Sequence, residues 1–319
     1  MSNYLIDGGA HIDVPMSNMA VKAFQGAGDF IGEHVFPVIP VEKQSDGYYV
    51  IDKDSWLRVP DTSRAPKTGV KRGEWKVSTD TYFAKNYAFG TDHAKETLAN
   101  QDAALRIRQT SMNYTLETLA RDRELRIANK VTSISNCGSG VALAGGDKFS
   151  DYANSDPISF VNTGHAFIRA QTGLRANAIA IDYDTFKILQ FHPVLRDYIK
   201  YTNEGPLNIN HLKAIFDVAE IHVGDAIYNT AKEGAAGSMS NIWGNSFLLY
   251  RKEANPTGLQ VATFGGALRW TPEGFPAPFA VEVYDHHDKS KKAENVDSQY
   301  FQDEKIIGQD LSYLFTDTL

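Results

Sequence analysis

The chain of 319 residues has one cysteine, Cys137, and no long run of apolar residues. A single thiol excludes an internal disulfide framework and any zinc site built from several cysteines. With Gly and Ser around it, Cys137 is interpreted as a small buried thiol. No stretch approaches the roughly 20 apolar residues of a bilayer-spanning helix, and the first residues lack the features of a secretion signal. We therefore expect a cytoplasmic product that is neither secreted nor membrane-anchored.

Motifs of nucleotide binding and hydrolysis are missing as well. The sequence contains no GxxxxGK(S/T), GxSxG or HExxH. Gly26, Gly28 and Gly32 come nearest to a dinucleotide fingerprint, but no predicted strand leads into them, which favours a loop. Because catalytic triads form in space rather than along the chain, the missing motifs are weak evidence against an enzyme.

One group of adjacent side chains has the chemistry of metal ligands, namely Asp285, His286, His287 and Asp288. Neighbours on a strand point to opposite faces, so these four do not converge on one ion without help. We interpret them as the polar end of a strand.

Two carboxylate pairs, Asp52 with Asp54 and Asp182 with Asp184, have the i and i+2 spacing that puts side chains on one face of a strand. Each pair lies where a predicted strand ends, and Asp184 is interpreted as the cap of the following helix. No catalytic residue, cofactor or metal ion is predicted.

The longest regular pattern spans residues 102–130, which contain neither proline nor glycine. Apolar residues recur there mostly at three-, four- or seven-residue steps, which predicts an amphipathic helix capped by Asp102. At 1.5 Å per residue this helix is roughly 43 Å long, more than an average globular domain needs. The heptads break at Arg123, which argues against a coiled coil. A flat, extended molecule with this helix as its spine is expected.

Charge is distributed unevenly along the chain. The 39 acidic and 32 basic residues give a net charge of -7, so the surface as a whole does not attract nucleic acid. After its cap, the predicted spine helix has three acidic residues, Glu117, Asp122 and Glu124, and six basic ones, Arg106, Arg108, Arg121, Arg123, Arg126 and Lys130. This excess suits an anionic neighbour, although a solvated face with ion pairs inside the helix is the simpler explanation.

Residues 36–90 are rich in aromatic and β-branched residues. Residues 36–59, with a turn at Asp46 and Gly47, are mirrored by residues 74–89, and the polar, basic segment 60–73 separates them, which predicts a hairpin with a flexible tip. Strands of sixteen residues would reach roughly 50 Å and need another surface to lie on. Two strands folded back into a local sheet are the alternative.

The remaining segments predict an arm, a lobe and a returning β segment. Residues 1–35 form only a short helix at 18–25, yet they hold too many apolar residues for a disordered tail, so an arm that docks on another surface is expected. From residue 157 helices and strands alternate, which predicts an α/β lobe. Residues 258–319 return as strands that close on the spine helix.

In this order, the segments resemble the major capsid proteins of tailed bacteriophages. The resemblance covers nearly the whole chain and is carried by FIGEHVFPVIPVEKQSDGYYV (30–50), APKTGV (65–70), FSDYANSDP (149–157), LQFHPVLRDYIK (189–200), EIHVGDAIYNTA (220–231), IWGNSFLLY (242–250), FGGALRW (264–270) and the terminal GQDLSYLF.

The resemblance implies an α+β fold of the Hong Kong ninety-seven-like type. Its parts on this chain are an N-terminal arm at 1–35, an extended hairpin loop at 36–90, a peripheral domain with the spine helix at 91–155 and 265–319, and an axial domain at 156–264. The implied function is a structural shell protein, not an enzyme, which closes as hexamers and pentamers into an icosahedral capsid around double-stranded DNA. Assembly is expected in the host cytoplasm, with the mature protein in the virion.

The resemblance also implies partners and surfaces. The partners are other copies of the chain, packaged DNA bound without sequence reading, a portal protein, and decoration and separate scaffolding proteins, with no membrane and no cofactor. Subunit contacts are expected at the hairpin tip, at Arg64, Lys67, Lys71 and Arg72. DNA-facing candidates on the spine helix are Arg106, Arg108, Arg121, Arg123 and Arg126.

Two family features are not matched by local motifs. Some relatives begin with a cleaved, charged scaffold segment, whereas this chain opens on the arm, so a separate scaffolding protein or none is expected. Others join a hairpin Lys to an Asn of the next subunit. Lys67, Lys71 and Asn295 lie in the corresponding regions, but no motif assigns them to that chemistry, and no cross-link is predicted.

Two alternatives remain open. An encapsulin compartment has the same fold and would enclose a cargo enzyme instead of a genome. A hydrolase or metal enzyme would use the α/β lobe as its catalytic domain and would depend on Asp182, Asp184 or His192.

Overall fold

The computed structural model describes residues 30–100, 106–199, 206–253, 262–273, 280–287 and 290–319. Its α-helices are α1 (Gly32–Val35), α2 (Lys53–Trp56), α3 (Lys95–Ala99), α4 (Ile107–Val131), α5 (Pro157–Thr172), α6 (Tyr183–Phe191), α7 (Pro193–Asp197) and α8 (Ile209–Ile215). Its strands are β1 (Val38–Val41), β2 (Ser45–Ile51), β3 (Val77–Phe83), β4 (Lys85–Ala94), β5 (Ser139–Ala142), β6 (Ala178–Asp182), β7 (Glu220–Gly224), β8 (Ile227–Asn229), β9 (Met239–Asn241), β10 (Ser246–Tyr250), β11 (Gly265–Trp270), β12 (Ala280–Asp285), β13 (Ala293–Ile306) and β14 (Ser312–Thr316).

Two five-stranded sheets organise these elements. In the first sheet the long strand β13 pairs with β4 along one side and with β11 and β12 along the other, all antiparallel, while β1 lies parallel to β11. The second sheet has the order β5-β14-β10-β6-β7 and mixes parallel and antiparallel pairs. Two small ribbons, β2-β3 and β8-β9, stand apart from both sheets.

The predicted spine helix is observed as α4, whose 25 residues give it a length of about 38 Å. Its predicted cap, Asp102, lies outside the described residues. Every fourth residue of α4 is buried on one side of the helix. These residues are Ile107, Ser111, Thr115, Leu119, Arg123, Ile127 and Val131. Ser111, Thr115 and Arg123 in this row are polar, so apolar packing alone does not hold the helix on the sheet.

The predicted α/β lobe is built around the second sheet. Its central strands β6 and β10 are buried along their whole length, as expected for apolar runs that are covered on both faces. Helix α6 follows β6 directly. Its cap is Asp182, whose Oδ2 accepts from the Thr185 amide at 3.1 Å, and not Asp184 as predicted. Asp184 lies in the first turn and accepts from the Asn241 side chain at 2.8 Å.

The C-terminal residues cross between the two sheets. Strand β13 belongs to the first sheet, but β14 pairs with β10 and β5 in the second. The predicted boundary at residue 265 therefore does not follow the sheets, because the last strand completes the lobe. The two sheets are therefore linked through the C-terminal strands. A single buried hydrophobic cluster also runs from α1 and α4 into the lobe.

The predicted N-terminal arm lies mostly outside the described residues, and so does the helix predicted at 18–25. Its described end, residues 30–35, contains the short helix α1, in which Gly32 and Val35 are buried. Phe36 follows, fully buried against Phe264 in an edge-to-face contact with centroids 5.7 Å apart. The chain is thus fastened to the body of the molecule before the hairpin begins.

Gly265 packs closely against Phe36, where the N-terminal segment joins the body of the molecule. A Cβ atom at this position would lie 2.4 Å from the Phe36 ring and 2.9 Å from the Lys305 carbonyl oxygen. We expect Gly265→Ala to lower the free energy of unfolding by about 2 kcal/mol, measured by urea titration, because neither neighbour can move away freely. Gly69→Ala, with no atom within 4 Å of the new methyl group, is the control and should change the value by less than about 0.5 kcal/mol. Equal losses in both variants would contradict this packing argument.

Candidate assembly surface

The predicted hairpin is present as the β2-β3 ribbon. Its register runs from Ser45 opposite Phe83 to Ile51 opposite Val77, so each strand has seven residues rather than sixteen. Asp46 and Gly47 lie inside β2, opposite Tyr82 and Thr81, and the predicted turn at that place is wrong. The strands are shorter because the chain leaves the ribbon at Ala84, after which β4 joins the first sheet instead.

One side of the hairpin is apolar and exposed. Tyr49, Val77 and Phe83 are 62%, 42% and 52% exposed, and Trp56 and Trp75, 54% and 57% exposed, meet edge to face beyond the strands with centroids 6.0 Å apart. A ribbon of two strands is marginally stable in water by itself. Large apolar side chains clustered on such an element indicate a surface that another molecule covers.

The hairpin tip is basic, and the predicted contact residues lie within it. Residues 57–76 hold six basic and two acidic residues, a net charge of +4. Arg64 donates to the Thr68 carbonyl at 2.7 Å, and Lys71 forms an ion pair with Asp61. Hydrogen bonds from Lys71 and Ser63 lower the pKa of the Asp61 carboxyl to about 2. Lys67 and Arg72 are exposed, and Lys67 has a positive φ of 67°.

The base of the hairpin is held by its own chain at two places. The Phe83 amide donates to Asp303 of β13 at 3.1 Å. Further along, Lys53 of α2 forms an ion pair with Asp310 and also contacts Gln171 of α5 at 3.3 Å. The tip beyond α2 extends past both attachments.

The outer face of the first sheet is acidic. Strand alternation puts Asp297 and Asp303 of β13, Asp92 of β4 and Glu282 of β12 on the side away from α4, with Lys305 as the basic residue among them. Their neighbours are uncharged: Tyr284 donates to Asp297 at 2.6 Å and Gln299 donates to Glu282 at 3.3 Å. Four carboxylates against one ammonium form a surface that attracts cations.

The basic residues of the spine helix point largely at the inner face of that sheet. Arg108 pairs with Glu294 of β13, and Arg126 pairs with Glu304 at 3.0 Å and donates to the Tyr300 hydroxyl at 2.7 Å. Arg126 also lies over the Tyr87 ring, 3.6 Å from its centroid. The excess positive charge of the helix is therefore matched by carboxylates of the sheet.

Arg123 requires a correction to the predicted DNA-facing group. It is 7% exposed and pairs with Glu33 at 2.7 Å, and Arg269 binds the same carboxylate oxygen at 2.7 Å. Burial opposes ionisation of Glu33, but the two guanidinium groups outweigh it and hold its pKa below the usual value. A side chain enclosed in this way does not reach a phosphate.

Three predicted candidates lie nearer to solvent. Arg106 is exposed at the start of α4, with a positive φ of 39°. The Arg108 side chain is 64% exposed although it pairs with Glu294, and the Arg121 side chain is 30% exposed and pairs with Glu117 one turn earlier at 3.0 Å. The exposed positions of α4 between them include the amides Gln109 and Asn113, so the outward face of the helix is less basic than its sequence indicates.

A buried carboxylate joins the spine helix to both of its neighbours. Glu124 is 1% exposed and accepts from the Ile31 amide at 2.9 Å, the Gly32 amide at 2.7 Å and the Trp243 indole at 2.7 Å. Gly32 is required here, because a Cβ would lie 2.5 Å from Glu124 Oε2. Burial raises the pKa of Glu124 despite these donors. The three bonds connect the N-terminal segment, α4 and the lobe at one point.

The side chains proposed for a catalytic alternative have structural contacts. Asp182 caps α6, and buried His192 shares a 2.9 Å hydrogen bond with the buried Ser155 hydroxyl. Burial raises the pKa of Asp182 and lowers the pKa of His192. Burial likewise raises the pKa of Cys137 to about 11, consistent with a buried thiol.

The described residues provide neither a metal site nor a membrane span. No group of three ligating side chains is placed to hold a metal ion within these ranges. Of the predicted polar strand end, Asp285 pairs with Lys95 at 2.8 Å, whereas Asp288 lies outside the described part. In the same ranges, no helix combines the length and apolar character that crossing a membrane requires.

The exposed apolar side of the hairpin, its basic tip and the acidic face of the first sheet are features typical of a subunit that other molecules contact. A long helix lies across one sheet, a mixed lobe lies beside it, and a basic hairpin with an apolar side projects from both. These are the parts expected for a shell protein.

Proteins of known identity agree with this class. The chain is 26% identical to the major capsid protein of Burkholderia phage BcepMu over 313 residues, which cover 96% of each chain. It is 24% identical to the major capsid protein of Pseudomonas phage JBD67 over 264 residues, 81% of this chain and 83% of the relative. No protein-family model matches the sequence.

Solved structures share the fold. A phage-related protein from Bordetella bronchiseptica RB50 superposes with a TM-score of 0.69 at 24% identity, covering 95% of this chain and 96% of its own. The capsid of cyanophage P-SCSP1u superposes with a TM-score of 0.58 at 13% identity, covering 98% and 93%. The predicted α+β, Hong Kong ninety-seven-like fold is confirmed, and so is the structural capsid role that the resemblance implied.

The polar network between α4 and the first sheet was not foreseen from the sequence. Its contacts with β13 join residues more than 170 positions apart along the chain, and its charged members on the helix were interpreted only as surface charges. One signal was present: on β13 the alternate positions Glu294, Ser298, Gln302 and Glu304 are polar, and all four are buried. Polar residues at most inward positions of a strand predict polar partners on the facing helix.

Proposed function

We propose that this chain assembles as hexamers and pentamers into an icosahedral capsid around double-stranded DNA, and that it has no catalytic activity of its own. The observation that carries the proposal is the hairpin, which exposes two tryptophans and a tip of net charge +4. An element of this kind is stabilised when copies of the chain cover one another. The assembled protein is located in the virion, after assembly in the host cytoplasm.

The tip docks on the acidic outer face of the first sheet of a neighbouring copy. Opposite charge supports this pairing: Arg64, Lys67, Lys71 and Arg72 meet the carboxylates of Asp92, Glu282, Asp297 and Asp303. Such complementarity selects the docking partner and its register more than it adds to affinity. Head-to-tail contacts of one surface with a different one close into rings, as a shell requires.

The packaged DNA lies on the inner side of the shell and is bound without sequence reading. Arg106, Arg108 and Arg121 remain the candidates of the spine helix for phosphate contact because their side chains reach solvent, whereas Arg123 and Arg126 are largely buried against carboxylates. A few exposed cations per subunit suffice when many subunits line a cavity, because phosphate contacts add across the surface. A portal protein, with separate scaffolding and decoration proteins, completes the set of proposed partners.

The test is the sedimentation profile of the purified chain, alone and co-expressed with its gene neighbours, with negative-stain images of the fastest fraction. Closed particles or hexamer rings are expected. Particles that hold a protein cargo and no nucleic acid would replace the capsid by an encapsulin compartment. A persistent monomer or dimer in both preparations would overturn the proposal, and metal analysis and activity assays of the lobe would follow.

A further inference from the structure

Three strands of the first sheet terminate together beside the start of the spine helix. Their register puts His93 of β4, Glu294 of β13 and Asp285 of β12 in one row across the sheet. Glu294 is buried and accepts from Arg108 of α4 at 2.6 Å, and His93 lies 2.5 Å from the Ser111 hydroxyl. The row therefore faces the helix, on the opposite side of the sheet from the acidic outer face.

Basic side chains surround this row. Lys95, at the start of α3, pairs with Asp285 at 2.8 Å, and its amide donates to the Lys292 carbonyl at 2.9 Å. The His286 amide donates to the Ala293 carbonyl at 2.8 Å, which closes the turn between β12 and β13. With the contact of α4 on β13, these bonds bring cations of three distant segments to one place, which we call the basic corner: Lys95, Arg106, Arg108, Lys291 and Lys292.

The basic corner has an excess of positive charge among the described residues. Its five basic side chains stand against three carboxylates, those of Asp285, Glu294 and the exposed Glu96, which gives a net charge of +2. All five basic residues are exposed, and Arg106, Lys291 and Lys292 form no ion pair within the part of the chain that the structure describes. In a chain of net charge -7, this is a place that attracts an anion.

Arg108 is held in position from beneath. The Glu294 side chain is 12% exposed and that of Arg108 is 64% exposed, so the carboxylate lies under a guanidinium group that reaches solvent. Nε and Nη2 of Arg108 donate to the two carboxylate oxygens. Because a guanidinium group has five N–H donors in a fixed fork, three remain for another acceptor. A group of this kind suits a phosphate, which accepts from several N–H groups at once.

We propose that the basic corner is the main contact of the subunit with duplex DNA, and that its five cations bind phosphates of the packaged molecule. The inference rests on the proposed capsid function and narrows the DNA surface to one end of the spine helix. Farther along α4, Arg121 is 30% exposed and is paired with Glu117, so it contributes less. Phosphate contacts made in this way carry no sequence information.

A second copy of the chain is the other anionic partner to consider. Its acidic outer face is matched by the hairpin tip, whose net charge is +4. The basic corner lies on the opposite side of the sheet, with α4, which the proposed shell turns toward its DNA. The charge of the two surfaces thus assigns the tip to a neighbouring copy and the corner to the packaged duplex.

Fluorescence anisotropy of a labelled duplex of mixed sequence, titrated with the full-length chain at several salt concentrations, tests the site. The starting variant carries Arg64→Gln, Lys67→Gln, Lys71→Gln and Arg72→Gln. These substitutions remove the attraction of the tip itself for DNA and, on the proposed docking, keep the chain from assembling. Binding is then measured independently of shell formation.

Neutralising the basic corner should weaken DNA binding and its salt dependence together. Adding Arg106→Gln, Lys291→Gln and Lys292→Gln to the starting variant should reduce the slope of log affinity against log salt by about 2.7, because each phosphate contact contributes about 0.9. At about 0.1 M salt the affinity should fall at least tenfold. Adding Lys187→Gln, Arg196→Gln and Lys232→Gln instead removes three exposed cations of the lobe and should change neither quantity.

Acetylation of the wild-type chain, followed by mass spectrometry, gives a readout that does not depend on the folding of a variant. The duplex should protect Lys95, Lys291 and Lys292 and leave Lys187 and Lys232 reactive. DNA binding at the corner by a chain that never forms particles would support the site and count against the capsid function alone.

Three results would overturn the proposal. One is an unchanged slope in the corner variant, and another is the loss of all DNA binding when the tip alone is neutralised. The third is normal DNA binding with fewer particles when the corner substitutions are introduced beside a wild-type tip, which would make the corner a contact between copies.

Discussion

Reversing the charge of the hairpin tip should abolish assembly without unfolding the subunit. In the variant Arg64→Glu, Lys67→Glu, Lys71→Glu and Arg72→Glu, carboxylates would face carboxylates at each proposed contact. Like charges at an interface cost several kcal/mol, so the fraction that sediments as particles should fall by at least about tenfold. The four side chains are exposed, and the melting temperature of the unassembled chain should stay nearly the same.

Two controls show whether charge is the cause. Arg64→Lys, Lys67→Arg, Lys71→Arg and Arg72→Lys keeps every charge and should assemble like the wild type. Adding Asp297→Lys and Glu282→Lys to the reversed variant restores opposite signs across the contact and should recover particles in part. Raised salt should weaken wild-type assembly in the same direction, because exposed charges are screened. Normal particles from the reversed variant would refute docking of the tip on the acidic face.

Loss of the Glu124 side chain should have the largest effect of any single substitution in α4. Glu124→Ala leaves the amides of Ile31 and Gly32 and the indole of Trp243 without their acceptor in a buried site. We expect the free energy of unfolding, from urea titration of the unassembled chain, to fall by about 3 kcal/mol. Glu124→Gln keeps the shape and one carbonyl oxygen, and should lose about 1 kcal/mol.

Asp122→Ala is the matched control, two residues away and on the solvent side. Its carboxylate is 50% exposed and pairs with Arg126, which keeps Glu304 as a second partner. An exposed pair of this kind contributes little, and the expected change is less than about 0.5 kcal/mol. A similar loss of unfolding free energy in both variants would mean that the helix is sensitive to any substitution there. Glu124 would then have no specific role in connecting the three elements.

Hairpin and spine helix differ in how well local pattern described them. The pattern of residues 102–130 predicts a helix because hydrogen bonds and side-chain spacing within a helix are local, and α4 agrees closely. The pattern predicts hairpin strands of sixteen residues instead of the seven observed, since nothing in residues 84–89 indicates that a strand of another sheet will pair with them. Strand partners are chosen by distant residues, and the Asp46-Gly47 dipeptide, a turn by propensity, is held in β2 by its pairing with β3.

The sequence by itself determined the spine helix, the alternating helices and strands of the lobe, the basic tip and the order of segments on which the resemblance to phage capsid proteins depends. These properties are carried by residues close together along the chain. Only the tertiary structure decided that β14 completes the lobe, that Arg123 is enclosed by Glu33, and that Glu124 joins three elements. Each of these depends on residues far apart in sequence, because a charged side chain has the same local signature whether it meets water or a buried partner.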